Sequence, residues 1–267
     1  MKVKKTLIAL AVVTSSAVSG NAMAWVDAGT GGKVDFSGTL TSAVTIKQPW
    51  EVRTGSAVTG LDAEMNEDKS KAVIMLEKPA PVLSIRSVKL GFIGRKGISP
   101  QIDYHGVIDI DKFNGSSAPL TLEVTNTKGD KIGKMEVDMF AYAKAAFRPS
   151  AEKFDSLGWD GRVLQASSKA AAFFGGLPNT IQHIDKVNGD LRAQRVDADA
   201  LETSPSYIPD GHGKYENDFS DNKLQYAGYY VSGIEAQKSI TITLDSPVKD
   251  GERIEWKASL PVTVSYA

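Results

Sequence analysis

Most of this chain alternates apolar and polar residues with a period of two, in short blocks separated by turn residues. That pattern restricts its folding more than any other feature. Successive side chains of a strand point to opposite faces, so such a block reads as a strand with one dry and one wet side. The blocks are Val34-x-Phe36-x-Gly38-x-Leu40, residues 73–76, 82–85 and 102–110, Leu120-x-Leu122-x-Val124 and Met135-x-Val137-x-Met139. Residues 226–234, Ile240-x-Ile242-x-Leu244 and Leu260-x-Val262-x-Val264-x-Tyr266 complete the set. Asn114-Gly115, Lys128-Gly129-Asp130, Ser246-Pro247 and Asp250-Gly251 punctuate them with turn chemistry. Many short strands joined by polar turns indicate an all-β sandwich, because parallel units would need a regular series of crossover helices.

One region departs from the pattern. Residues 150–177 carry helix-compatible spacing through Phe154, Leu157, Val163, Leu164 and the alanine-rich stretch 169–174, and Gly175-Gly176 and Pro178 stop it. Residues 185–215 are polar and read as a long loop with a short helix near 197–202, and loops of that length are usually functional or disordered. Residues 148–220 are therefore expected to be an insertion on the sandwich.

The first 24 residues read as an export signal. Lys2, Lys4 and Lys5 precede the apolar stretch 7–13, and Ala22-Met23-Ala24 forms a small-x-small cleavage site that puts the mature start at Trp25. The chain has no cysteine, so an oxidising compartment offers it no bridge and packing alone must stabilise it. Its 31 basic and 32 acidic residues nearly cancel, which argues against a nucleic-acid binder, and 42% apolar content excludes a disordered chain. No mature apolar run reaches the roughly 18 residues of a membrane span.

Catalytic and metal signatures are thin. His105, His183 and His212 are far apart in sequence, and neither H-E-x-x-H nor G-x-S-x-G occurs. Asp109 and Asp111 read as solvated charges on one strand face, and Glu216-Asn217-Asp218 lacks the spacing of an EF-hand loop. Asn114-Gly115-Ser116 fits a glycosylation sequon and a hairpin turn equally well. The expectation is a protein that is not an enzyme and has no catalytic residue, metal or cofactor.

The two ends carry more. The row Val34, Phe36, Gly38, Leu40 could belong to its own sheet, or it could be a donor strand that inserts into a groove on another subunit. A glycine within the row suits close approach of a partner backbone. At the other end Leu260, Val262, Val264 and Tyr266 could close the core, or form an apolar edge strand that an export chaperone must cover.

Together these ends resemble chaperone–usher pilins, and the closer likeness is to the kappa class, the K-eighty-eight-type fimbrial subunits of enterotoxigenic Escherichia coli. The resemblance runs through Lys4-Lys5-Thr6-Leu7-Ile8-Ala9-Leu10-Ala11, Gly31-Gly32-Lys33-Val34-Asp35-Phe36-Ser37-Gly38 and Gln48-Pro49-Trp50-Glu51-Val52 with Thr54-Gly55. Phe174-Gly175-Gly176-Leu177 and Trp256-Lys257-Ala258-Ser259-Leu260 to Tyr266 complete it. It implies an incomplete immunoglobulin-like β-sandwich with a small helical insertion, completed by a donor strand from a neighbouring subunit. By the same resemblance residues 1–24 are a signal peptide, 25–41 a donor extension (Val34, Phe36, Gly38, Leu40) and 42–267 the pilin domain. Leu260, Val262, Val264 and Tyr266 would bind the chaperone.

The implied partners are identical or homologous subunits, a periplasmic chaperone, an outer-membrane usher and a host glycoprotein or glycolipid. The implied route leads through the periplasm to an adhesive cell-surface fimbrium. Sugar binding asks for a flat aromatic beside planar polar groups, and Trp159, Asp160, Arg162, Tyr207 and Tyr215 are the candidate receptor residues. Anchoring the insertion is the alternative role for its aromatics. A minor or capping lectin-like subunit is the alternative to a repeated structural one.

Overall fold

Alternation is cleanest at residues 117–125, where Ala118, Leu120, Leu122 and Val124 are buried and Pro119, Thr121 and Glu123 exposed. A computed structural model of the protein describes residues 47–88, 91–150, 158–202 and 216–267. The row Val34, Phe36, Gly38 and Leu40 lies outside the described residues, as do Tyr207, Tyr215 and His212.

Twelve strands are described: β1 (Trp50–Thr54), β2 (Lys71–Met75), β3 (Ala80–Ser87), β4 (Phe92–Ile93), β5 (Pro100–Asp103) and β6 (Ser117–Thr125). Then come β7 (Lys131–Pro149), β8 (Asp160–Val163), β9 (Leu224–Ile234), β10 (Ser239–Leu244), β11 (Lys257–Ala258) and β12 (Thr263–Tyr266). All their pairings are antiparallel, and the path β1-β3-β9-β7-β10-β2 forms the spine of the sheet. The architecture is an all-β sandwich with a small helical insertion, as the alternation anticipates.

β7 organises the whole. Its first half pairs with β6 on one side and β10 on the other, and its second half pairs with β9 and β8. Residues 140–147 (Phe-Ala-Tyr-Ala-Lys-Ala-Ala-Phe) would suit a helix by propensity. Pairing along both edges and burial on both faces make them strand instead. The Asn114–Ser117 hairpin closes with Asn114 N–H on Ser117 O at 2.8 Å and the reverse bond at 3.0 Å. Gly115 and Ser116 both have positive φ, which a primed hairpin turn requires.

Two regions correct the sequence reading. Residues 158–177 are not helical: they hold β8 and a series of turns, since Leu164 N–H bonds Ala143 O and Phe173 N–H bonds Pro100 O. The α-helix lies further on, as α1 (Gly189–Asp197), within the stretch read as a loop, and a 3-10 turn (Ala198–Leu201) follows it near the expected short helix. The strand expected over 102–110 stops at Asp103, because His105 takes a left-handed φ and Asp109 caps the 3-10 turn Ile110–Lys112 by accepting from Asp111 N–H. Asp109 is therefore a capping residue and not part of a strand face.

The main core is aromatic at one end. Trp50, Phe92, Phe173, Phe219 and Tyr226 meet with ring centroids 5.0–6.3 Å apart, mostly edge-to-face. A second cluster of Phe140, Tyr142, Ile181, Ile184, Val196 and Tyr229 seats α1 on the sheet. Arg192 fastens that seat: its guanidinium holds Glu235 at 2.7 Å and Asp185 at 3.2 Å, bonds Gly115 O, and lies 4.4 Å from the Phe140 ring centroid.

Candidate subunit interface

From Ile254 to Ala267 half-buried and exposed residues alternate without a break. Ile254, Trp256, Ala258, Leu260, Val262, Val264 and Tyr266 make up the half-buried row. Six of them, from Trp256 on, pack against the main core, yet none is buried. A row packed on a core from one side only leaves apolar surface facing a space that none of the described residues fills.

The backbone explains why the space lies along an edge. β12 pairs with β5 in the register Thr263–Asp103, Val264–Ile102, Ser265–Gln101, Tyr266–Pro100. Ser99 and Ala267 exchange both backbone hydrogen bonds, at 3.0 and 3.2 Å. Hydrogen-bonded and non-bonded pairs alternate in an antiparallel ladder, so Ser265 and Thr263 likewise turn their amides toward β5. Val264 and Tyr266 then turn their N–H and C=O groups the other way. Among the described residues no strand pairs with that side of β12, or with the far side of β11. The residues with inward side chains thus carry the outward backbone groups, which is the arrangement an added strand needs for both kinds of contact.

The far edge of β5 is supported by the insertion. Phe173 N–H bonds Pro100 O at 2.6 Å, and Ile102 N–H bonds Phe174 O at 2.9 Å. Below it Tyr104 Oη lies 2.9 Å from Tyr230 Oη and 2.7 Å from Ser232 Oγ. Burial pushes the Tyr104 phenol up to about 12, and partial burial also raises that of Tyr266. His105 Nε2 reaches Thr263 Oγ1 at 2.9 Å on the outer face of the β5–β12 pair.

The candidate receptor residues that fall in the described part sit at β8. Trp159 is half-buried, with the guanidinium of buried Arg148 4.6 Å from its ring centroid. Arg162 pairs with Asp160 and lies 5.8 Å from the Phe147 ring centroid. Asp160 and Arg162 stand with Phe147 on one face of the β7–β8 pair, whereas Trp159 stands with Arg148 on the other and packs on the second cluster, so the structure does not bring the three onto one face. Phe173 and Tyr229 are both buried anchors. Sequence reasoning missed the strap 173–176 and the Arg192 clasp, although Gly175-Gly176 after two phenylalanines marked the former. Among the described residues no three metal-ligating side chains converge, and no helix is long and apolar enough to cross a membrane.

The family model described as "Fimbrial, major and minor subunit" matches residues 3–267. The chain is 28% identical to K88 fimbrial protein AB of Escherichia coli, over 98% of this chain and 99% of that one. It is 30% identical to the F41 fimbrial protein of Escherichia coli, over 99% of this chain and the whole of that protein. The chain belongs to the family of fimbrial major and minor subunits. Members are structural subunits, exported to the surface, that assemble with homologous subunits.

Proposed function

We propose that this subunit polymerises by donor-strand exchange, after a periplasmic chaperone has delivered it to an outer-membrane usher. The acceptor is the open side of β11 and β12, and the donor is the row Val34, Phe36, Gly38, Leu40 from residues 25–41 of the next copy. The observation that carries this reading is the half-buried row Leu260, Val262, Val264, Tyr266, in which Val264 and Tyr266 turn their backbone groups to an edge that no strand among the described residues pairs with. The chaperone covers the same edge before assembly, since an open apolar edge is an aggregation hazard.

The magnitudes are adequate. Val34, Phe36 and Leu40 would each contribute about 1.5–3 kcal/mol on full burial. Each new backbone bond adds about 0.5–1.5 kcal/mol net. Side-chain burial therefore supplies most of the affinity, and pairing sets the register. Residues 42–267 form the receiving domain, with the insertion at 148–220. Trp159, Asp160 and Arg162 at β8, together with Tyr207 and Tyr215, are the proposed contact for a host glycoconjugate. There the Asp160–Arg162 pair offers planar polar groups, and Trp159 offers an indole from the other face at the start of the same strand.

The test uses a mature chain with Phe36→Asp, which keeps the acceptor and disables the donor. A peptide of residues 31–41 should raise its unfolding midpoint saturably, since a ligand of the native state stabilises by mass action. A Phe36→Ala peptide should do so less well. No shift at saturating peptide would remove the donor-strand reading. Trp159→Ala should abolish glycan-array binding while leaving fibre assembly intact.

A further inference from the structure

β12 receives a strand on one side only if β5 holds it on the other, and β5 is itself held by the insertion. Phe173 N–H to Pro100 O, Ile102 N–H to Phe174 O, and Gln101 Nε2 to Ala171 O at 3.0 Å are the three bonds of that support. Gly176 O accepts the buried Tyr230 hydroxyl at 3.0 Å, and Phe173 stacks on the Tyr230 ring with centroids 5.4 Å apart. The fit is close. Gly175 has φ +84° and a Cβ there would overlap Ile102 O, while a Cβ on Gly176 would come within 2.6 Å of Ile102 Cδ1. Ile102 is also the residue opposite Val264 in the β5–β12 register.

We propose that residues 173–176 are a positioning strap for the acceptor edge. They fix β5 from behind and thereby set β12 at the height and tilt at which a donor strand can pair. The inference rests on the donor-strand reading and deepens it: the insertion belongs to the polymerisation machinery as well as to the exposed surface. Phe173 keeps a left-handed φ of 61° while fully buried, a conformation that costs energy and persists only where the surroundings over-determine it. Linkage then works both ways, so a bound donor strand tightens the strap as much as the strap favours the donor.

The experiment measures binding of a fluorescent peptide of residues 31–41 to the mature Phe36→Asp chain by anisotropy. Gly175→Ala, made in that background, should weaken the peptide at least tenfold. The control is Gly189→Ala, whose Cβ would press on the Tyr142 ring in the second cluster, away from β5. It should lower the unfolding midpoint yet leave the peptide affinity within twofold. Gln101→Ala removes the side-chain bond to Ala171 O just ahead of the strap, with the local bonds to Ser99 and Pro100, and should weaken binding about threefold, which keeps the test readable if Gly175→Ala does not fold. Hydrogen exchange at the Phe173 amide should slow when peptide binds. Unchanged affinity in Gly175→Ala and Gln101→Ala would overturn the strap. So would an equal loss in Gly189→Ala, which would mark the effect as general destabilisation. Absence of peptide binding to the Phe36→Asp parent would instead remove the donor-strand reading, and the strap with it.

Discussion

The β7–β9 pair and the C-terminal strand are both antiparallel, but they are built for opposite ends. β7 and β9 pair at ten registered positions, each has a partner along its other edge, and ten of the eleven residues of β9 are buried. Among the described residues β12 pairs at four positions with β5 alone, and it buries none of its four residues. A strand with both edges paired and both faces covered has nothing left to offer a partner. A half-covered strand with one open edge has little to lose until the partner arrives. Stability and assembly thus reside in different strands of one fold.

The largest test of that contrast is Phe140→Ala. Phe140 is buried where β7 passes from β6 to β9, so its loss should cost about 3–5 kcal/mol and lower the thermal midpoint by about 10 °C. Next comes Arg192→Ala, which strands two partly buried carboxylates and should cost roughly 2 kcal/mol in denaturant unfolding.

The same clasp sets an acid limb. Hydrogen bonds from Arg192 hold Glu235 below its usual range, against the opposing pull of burial. At Asp185 burial acts upward, but bonds from the Asn188 amide, Arg192 and the Val187 amide outweigh it. A depressed carboxylate stabilises above its unfolded value, and that contribution is lost as pH falls through the folded one. Stability should therefore drop below about pH 4, and Arg192→Ala should flatten the drop in a pH series of urea melts. At the alkaline end Tyr104 works in reverse. Its raised phenol favours the fold below about pH 10, and the benefit fades as pH climbs toward 12.

Val264→Ala comes third. On the empty subunit it should cost about 1 kcal/mol or less, because the side chain is only half-buried. With the 31–41 peptide bound the cost should grow. A penalty as large as that of Phe140→Ala on the empty chain would break the contrast, since it would mean the edge is already filled. Smallest is Lys134→Ala, which removes an exposed pair with Glu136 and should change stability by less than about 0.5 kcal/mol.

How much of this the sequence reveals depends on how many faces each element covers. β6, β10 and the C-terminal row each have one dry and one wet side, and their alternation reads directly. The second half of β7 is dry on both sides and built on alanine, so no period is left to read. Residues 169–174 look helical because alanine favours a helix, but the Phe173 amide bonds to β5 and the backbone cannot also close a helical turn. α1 was hidden for the opposite reason. Its sequence Gly-Asp-Leu-Arg-Ala-Gln-Arg-Val-Asp is mostly polar, and its only buried apolar side chains are Ala193 and Val196, with Ala200 following in the 3-10 turn. The edge itself was legible as an apolar row, whereas its strap was not, because support through backbone bonds leaves no side-chain pattern.

Three consecutive residues hold both ends of the receiving domain. Gln48 bonds Gly97 O at 3.1 Å, the Trp50 indole bonds Ile98 O at 2.7 Å, and Ser99 pairs with Ala267. In a fibre assembled as proposed, tension reaches each subunit along β12 and leaves it through the chain ahead of Trp50. The load path then runs through the short strip 97–99 and bypasses the β7–β9 pair. Pulled lengthwise, such a fibre would strain its joints and their few bonds while the core of each subunit carries almost no force.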